Sequence, residues 1–285
     1  MIISPKTSYA AVIGHPIAHS LSPKLHNSIY DKLGLDMVYL AFDISHRDLQ
    51  SAVGGLRSLN FSGFNVTIPY KIEVMDYLNE IDPMAIAIGA VNTVKIEDGR
   101  MIGYNTDGLG FLSSLKNRNI RCHGRRILII GAGGSARAIA ITLAEDSPKE
   151  ILILNRNAAR GEQLAEDINR YAGRDLSTVV EEAPATIDII INTTPLGMWP
   201  NVQNSPLSGY SFSPETVVCD IVYNPLETTL LKEARKSGSI TVGGIGMLVG
   251  QGIKAVEIWT GRGIDDSISG LVYGEIHNSL KESSQ

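Results

Sequence analysis

A short apolar block that runs straight into glycines, and then into a helix-forming segment, constrains this chain more than any other stretch: Arg126-Ile127-Leu128-Ile129-Ile130-Gly131-Ala132-Gly133-Gly134-Ser135-Ala136-Arg137-Ala138-Ile139-Ala140. The pattern predicts strand, tight turn, helix. Gly131 and Gly133 take the first two glycine positions of G-x-G-x-x-G/A, and Ala136 takes the third, where a helix must pack closely on the strand. The first turn of a helix has free N–H groups and a partial positive charge, so the backbone of Gly131, Ala132, Gly133, Gly134 and Ser135 can approach a pyrophosphate. A glycine turn can equally be an ordinary tight connection, so the next strand carries much of the decision.

That strand is predicted over Glu150-Ile151-Leu152-Ile153-Leu154. Dinucleotide folds usually end it in a carboxylate for the ribose 2′-hydroxyl, about 20 residues after the glycines. Here it ends in Asn155-Arg156, with Arg160 four residues on. A carboxylate would repel a 2′-phosphate, whereas two guanidiniums at the opening of a helix can clasp one through charge-assisted hydrogen bonds. NADP is therefore the expected cofactor rather than NAD, with solvated surface arginines as the plain rival.

At 285 residues the chain exceeds an average domain, and with 44% hydrophobic residues it can bury a sizeable core. Lys and Arg number 25 against 30 Asp and Glu, a net charge of −5, and no basic block occurs. Nucleic acid and anionic membrane surfaces are thus poor partners. Cys122 and Cys219 make no metal-ligand spacing and read as reduced thiols of a cytosolic protein, so no metal is expected. The start, Met1 to Thr7, lacks the basic and apolar regions of a signal peptide, and no apolar run approaches the ~18–20 residues that span a bilayer.

In chain order, residues 9–14 predict a strand ending at Gly14, and a helix is expected from Pro23 to Gly34 with Ser22 as its cap. Ser20 and Ser22 then carry hydroxyls around a positive helix end, which could hold a small carboxylate; capping by Ser22 with Ser20 in solvent is the alternative. His15, His19 and His26 fall near one another in sequence, but Pro16 and Pro23 break any helix that would align them as ligands. Residues 37–43 and 63–69 predict further strands with a helix over 49–59 between them, giving βαβαβ and a parallel α/β sheet. At the end of the third strand come Asn65 and Thr67, and then Lys71, expected in the first turn of a helix opened by Pro69. A lysine there opposes the helix dipole and calls for a local anion, unless it is merely a tolerated surface charge. Residues 89–96 and 101–104 predict a hairpin turning at Asp98-Gly99, both arms ending in Asn-Thr: Asn92-Thr93 and Asn105-Thr106-Asp107. Asp107 can cap the helix that follows.

The second sheet is expected from strands at 126–130, 150–154, 187–191, 217–220 and 239–241. Thr193 follows the third of these, and Ile221, Val222 and Tyr223 follow the fourth, at tips of the kind that line dinucleotide sites. A glycine segment, Gly243-Gly244-Ile245-Gly246, leads into Met247 and Gln251 as a candidate hinge and helix, and a further helix is expected over 267–280 before a polar tail.

Several motifs thus occur in a fixed order: His19-Ser20-Leu21-Ser22-Pro23 with His26-Asn27, Asn65-Val66-Thr67-Ile68-Pro69 with Lys71, Gly89-Ala90-Val91-Asn92-Thr93, Gly103-Tyr104-Asn105-Thr106-Asp107, the glycine turn, Asn155-Arg156, Tyr223-Asn224-Pro225, and Met247-Leu248 with Gln251. With this set the chain closely resembles the shikimate dehydrogenase family over nearly its whole length. The resemblance implies an α/β fold of two domains flanking a cleft. One is an N-terminal substrate domain over 1–108, completed by C-terminal helices in 247–285; the other is a Rossmann-type NADP domain over 109–246. It implies a cytoplasmic oxidoreductase of chorismate and aromatic amino-acid biosynthesis that interconverts 3-dehydroshikimate and shikimate, with a homodimer left open as the assembly. By the same resemblance Ser20 and Ser22 hold the substrate carboxylate; Asn65, Thr67, Asn92, Tyr223 and Gln251 surround the ring; Lys71 and Asp107 are the catalytic pair. Gly131 to Ser135, Asn155, Arg156, Arg160, Thr193, Ile221, Gly244 and Met247 line the cofactor. Quinate-using relatives tend to alter one serine or to carry an acidic residue after the second cofactor strand, and neither departure occurs here. Asn157-Ala158-Ala159 lacks a threonine that many relatives have. The competing readings are a quinate/shikimate enzyme of broader substrate or NAD use, and a catalytically silent ligand sensor.

Overall fold

The computed structural model describes residues 3–283; Met1 and Ile2 of the N-terminal segment, and Ser284 and Gln285 of the polar tail, lie outside the described residues. The chain forms two units, Met1–Thr106 with Val249–Ile276, and Asp107–Leu248 with His277–Gln285.

The first unit contains β1 (Ser8–Gly14), α1 (Ser22–Leu33), β2 (Met37–Asp43), α2 (Leu49–Ser58), β3 (Gly63–Val66), β4 (Glu80–Ile81), α3 (Pro83–Ile88), β5 (Thr93–Glu97) and β6 (Arg100–Tyr104). Its sheet runs in the order β2-β1-β3-β5-β6-β4. The βαβαβ half pairs in parallel, β1 with β2 and β3, as the alternation of apolar strand and amphipathic helix predicts. The hairpin β5–β6 makes the rest mixed, because β5 runs antiparallel to both β3 and β6. Ala11, Ile13, Leu49, Val53, Phe64 and Val94 meet in the core below it.

Two expectations fail here. No helix starts at Pro69. The Lys71 carbonyl, which an α-helix would give to residue 75, instead accepts from Val91 N at 2.8 Å, and Met75 N turns back to Ile72 O at 3.1 Å, so the chain makes only a short 3-10 turn at Glu73–Tyr77. The dipole argument for Lys71 therefore falls away. Residues 89–92 are also not strand: α3, capped by the Asp82 carboxylate on Met84 N at 2.9 Å, ends at Gly89 with φ 71°.

The second unit contains α4 (Asp107–Lys116), β7 (Arg126–Ile130), α5 (Gly134–Ala144), β8 (Glu150–Leu154), α6 (Ala158–Ala172), β9 (Ser177–Val180), β10 (Ile189–Asn192), β11 (Val217–Asp220), α7 (Thr229–Lys236) and β12 (Ile240–Val242). All its strand pairs are parallel, in the order β12-β11-β10-β7-β8-β9. Counted from β7, this is the doubly wound 3-2-1-4-5-6 order, whose direction reverses between β7 and β10. Ile127, Leu128, Ile129, Ile139 and Ile141 are fully buried here, each side chain contributing about 1.5–3 kcal/mol relative to exposure. The continuous apolar run of β7 reflects a strand covered on both faces. β9 escaped the sequence reading, since Ser177–Val180 is short and its burial partial. Two closing helices, α8 (Ile245–Thr260) and α9 (Asp266–Ser283), complete the described chain. No helix among the described residues is long and apolar enough to cross a membrane.

Candidate active site

At the reversal point of the second sheet, Gly131 has φ +110°, and a Cβ there would meet Thr193 Oγ1 at 2.6 Å, so only glycine fits. Thr193 is pinned in turn, its N and Oγ1 both donating to Ile130 O at 2.9 and 2.7 Å. Beyond this contact, a Cβ at Gly133 or Gly134 would meet nothing within 4 Å, and Gly133, the N-cap of α5, makes no side-chain cap bond. The turn is thus a bare backbone cradle at a helix N-terminus, with room for an anion such as a pyrophosphate. These features fit a dinucleotide.

Next to it, β8 is followed by Asn155, whose Nδ2 donates to Asn157 O at 2.7 Å, while Asn157 caps α6 by accepting from Arg160 N at 3.0 Å. Arg156 lies in the turn before the cap and Arg160 in the first turn of α6, both exposed. Neither guanidinium joins an ion pair among the described residues, unlike Arg137, which holds Asp167 at 2.5 Å. An opening helix flanked by two open guanidiniums suits a phosphate monoester.

The tips of β10 and β11 are laced around Asp220. Its carboxylate accepts from Thr228 Oγ1 at 2.7 Å and from Val222 N and Asn192 Nδ2 at 3.0 Å, while Asn192 Oδ1 accepts from Thr194 N and Oγ1. Burial pushes this carboxyl up to about 6, against those hydrogen bonds. The lacing fixes Ile221, against which Gly244 closes so tightly that a Cβ would lie 2.2 Å from Ile221 O. Tyr223 follows in the same turn, and burial raises its phenol pKa. Met247 is buried in the first turn of α8.

In the first unit the candidates gather at the strand ends. Ser22 begins α1 rather than capping it: Leu21 holds the cap position without a side-chain bond, and Ser20 Oγ accepts from Ser22 N at 3.3 Å. The expected Ser22 cap is thereby corrected, and both hydroxyls are half-buried. Thr67 N donates to Ile13 O at 3.0 Å, setting that side chain beside Gly14 at the end of β1. Asn65 is fully engaged: Nδ2 donates to Asn92 O at 3.1 Å and Thr93 Oγ1 at 2.9 Å, while Oδ1 accepts from Tyr39 OH at 2.6 Å. Asn92 Oδ1 accepts from Thr106 N at 2.8 Å and Thr93 Oγ1 at 2.9 Å. Lys71 is half-buried, its backbone tied to Val91 beside Asn92. Asp107, buried, opens α4 in the second unit, directly after the anchored Thr106. Gln251 lies on α8, in its first-unit part.

Of the three early histidines, His15 pairs with Asp43 at 2.6 Å, and His26 is fully buried against Tyr39. Spacing gives Tyr39 no role, although its hydroxyl donates to Asn65 Oδ1. A tyrosine in an apolar strand reads as core, and only the general need of a buried hydroxyl for a partner could have marked it.

Three family models match: the shikimate dehydrogenase substrate binding domain over residues 12–94, shikimate / quinate 5-dehydrogenase over 114–204, and the shikimate 5'-dehydrogenase C-terminal domain over 244–266. A protein of Methanocaldococcus jannaschii named shikimate dehydrogenase (NADP(+)) is 46% identical over 266 residues, covering 91% of this chain and 94% of its own. The chain belongs to the shikimate dehydrogenase family. Among solved members, a shikimate dehydrogenase in complex with NADP+ superposes with a TM-score of 0.90 at 43% identity, covering 96% of this chain and 97% of its own. The Listeria monocytogenes shikimate 5-dehydrogenase, in complex with shikimate and NAD, gives 0.88 at 39% identity, with 95% and 98% covered. Shikimate dehydrogenases with either nicotinamide dinucleotide thus share this fold.

Proposed function

We propose that this chain is an NADP-dependent shikimate dehydrogenase of the cytoplasm, reversibly reducing the 3-keto group of 3-dehydroshikimate to the hydroxyl of shikimate. The observation that carries the reading is the bare Gly131–Gly134 cradle followed, after the next strand, by two exposed arginines where a carboxylate would select NAD. The backbone of Gly131 to Ser135 would hold the pyrophosphate of NADP, and Arg156 and Arg160 its 2′-phosphate. Thr193, Ile221, Gly244 and Met247 would line the remainder. When bound, the reduced nicotinamide supplies the hydride.

This chain's own part is to hold the substrate and move a proton. Ser20 and Ser22 bind the carboxylate; Thr67, Asn92, Tyr223 and Gln251 surround the ring, with Asn65 in the wall behind. The Lys71 ammonium donates its proton to the substrate oxygen as that oxygen gains charge, and Asp107 orients Lys71 and accepts from the neighbouring ring hydroxyl. In the oxidative direction the pair takes the proton back. A reading with quinate as a second substrate is kept because one matched family model bears both names.

Nicotinamide absorbance, followed with shikimate or quinate against NADP or NAD in four combinations, tests the proposal. Shikimate with NADP should dominate. Equal rates with quinate would favour the broader enzyme, and no turnover in any combination would favour the silent sensor.

A further inference from the structure

Tyr39 sits on the edge strand β2, and both of its backbone polar groups on the free edge are taken by one side chain of α1. Asn27 Nδ2 donates to Tyr39 O at 3.0 Å, and Asn27 Oδ1 accepts from Tyr39 N at 2.9 Å. The same Nδ2 donates to Pro23 O at 2.8 Å, so Asn27 fixes the first turn of α1, where Ser22 lies, at a set distance from Tyr39. The Tyr39 ring stacks on His26 with centroids 4.0 Å apart and planes at 2°. His26 is fully buried with neither ring nitrogen partnered, and burial lowers its pKa to about 3, so it serves as a neutral plate. Trp259 lies beside both rings, 5.4 Å from His26 and 6.1 Å from Tyr39, held by its Nε1 donating to Val94 O at 2.9 Å.

With the ring immobilised, the hydroxyl has one direction to serve. It donates to Asn65 Oδ1 at 2.6 Å, which commits both Asn65 Nδ2 hydrogens to Asn92 O and Thr93 Oγ1. The phenol oxygen keeps lone pairs for a further donor, and the Ser22 side chain is near enough to favour its charged form against the burial that raises its pKa. We propose that Tyr39 is a positioning residue that locks the α1 N-terminus carrying Ser22 to the Asn65–Asn92 network, holding the carboxylate-binding and ring-binding parts of the pocket in register. Tyr39 touches no reacting atom. Its effect runs through Ser22 and Asn65, and the inference rests on the proposed function.

The test is Tyr39→Phe in the full chain, which keeps the stacked ring and removes only the hydroxyl. KM for shikimate should rise about tenfold, a loss of about 1.4 kcal/mol in binding, with kcat within about threefold and KM for NADP unchanged. Discrimination between shikimate and its carboxamide should shrink about tenfold as well, a readout that general loosening would not move. Should Tyr39→Phe fail to fold, Asn27→Ala, which frees the Tyr39 backbone and leaves the phenol, must give the same shikimate-only defect. An unchanged KM and discrimination, or equal losses for shikimate and NADP, would overturn the inference. Absence of shikimate turnover in the unmodified chain would instead sink the functional reading, and this inference with it.

Discussion

Around Gly131 the second unit offers backbone and keeps side chains out, whereas around Asn65 the first unit offers side chains and satisfies every buried polar atom of the network. A pyrophosphate needs close approach to N–H groups, which any side chain would obstruct, so the cradle is defined by what is missing. A small polyhydroxylated acid must instead be held by several directional contacts, and such contacts are only as good as the packing behind them. The first region should therefore fail by steric filling, and the second by loss of register.

The proposed division of labour breaks most visibly at Lys71. If the proton comes from Lys71 of the first unit, Lys71→Met should lower kcat by about 10²-fold or more, with KM for shikimate and NADP nearly unchanged. Steady-state rates in both directions measure this. Wild-type turnover in the variant would remove Lys71 from the chemistry.

The steric half of the comparison is sharpened by Gly131→Ala. A methyl group placed 2.6 Å from Thr193 Oγ1, at φ +110°, costs about 1–3 kcal/mol in backbone strain alone and intrudes on the cradle. KM for NADP should rise about thirtyfold while shikimate binding, measured calorimetrically without cofactor, holds. Equal damage to both would mean that the turn supports the whole chain rather than the nucleotide.

These two regions also explain what could be read in advance. The cradle is local: strand, glycines, helix and the following arginines lie within 126–160, and periodicity with residue type is enough to place them. Five of the six strands of the second sheet followed from the same alternation, and its Rossmann-type fold from the glycine turn and the family resemblance, while β9 gave no signal. In contrast, Asn65, Asn92 and Thr106 are separated by 27 and 14 residues along the chain and meet only because β5 returns antiparallel to β3. The hairpin turning at Asp98-Gly99 signals the approach of Asn92 and Thr106, but spacing gave no signal for Asn65 joining them; the ordered motifs of the family did. The failed helix at Pro69 has the same origin, since the Lys71 carbonyl is claimed by Val91, 20 residues away, and local propensity cannot see such a partner. Tyr39 is the extreme case, a residue whose strand pattern reads as core and whose hydroxyl matters only through a distant amide.

A smaller effect separates the two nucleotides. Replacing Arg156 and Arg160 together by alanine should raise KM for NADPH about tenfold, a charge-assisted contact of about 1.4 kcal/mol, and leave NADH use almost unchanged. Parallel loss with both cofactors would make the arginines structural, and the exposed turn after β8 would no longer count as part of the cradle.

The smallest effect tests whether the comparison is complete, because the second unit does contain one buried side-chain network, and unlike that of the first it holds a charge. Asp220 has its carboxyl raised from 3.8 to about 6 by burial. Between those values the folded chain binds a proton that the unfolded chain does not, so this group's stabilisation is fully present below pH 3.8 and is lost as pH rises through about 6. The span corresponds to an upper limit of about 3 kcal/mol, at about 1.4 kcal/mol per pH unit. Asn at 220 would keep an oxygen for Val222 N and Asn192 Nδ2 and offer an amide hydrogen to Thr228 Oγ1, so the network survives without the titration. The unfolding midpoint of the unmodified chain, minus that of Asp220→Asn, should therefore fall between pH 4 and 6 and then level off; subtraction removes the opposite slopes of the other carboxylates. A flat difference would mean that the hydrogen bonds from Thr228, Val222 and Asn192 offset the burial of Asp220, so that it titrates as an ordinary carboxylate. The tips of β10 and β11 would then be held by a buried carboxylate stabilised in its charged form, and the contrast between the neutral network of the first unit and a charged one in the second would be complete.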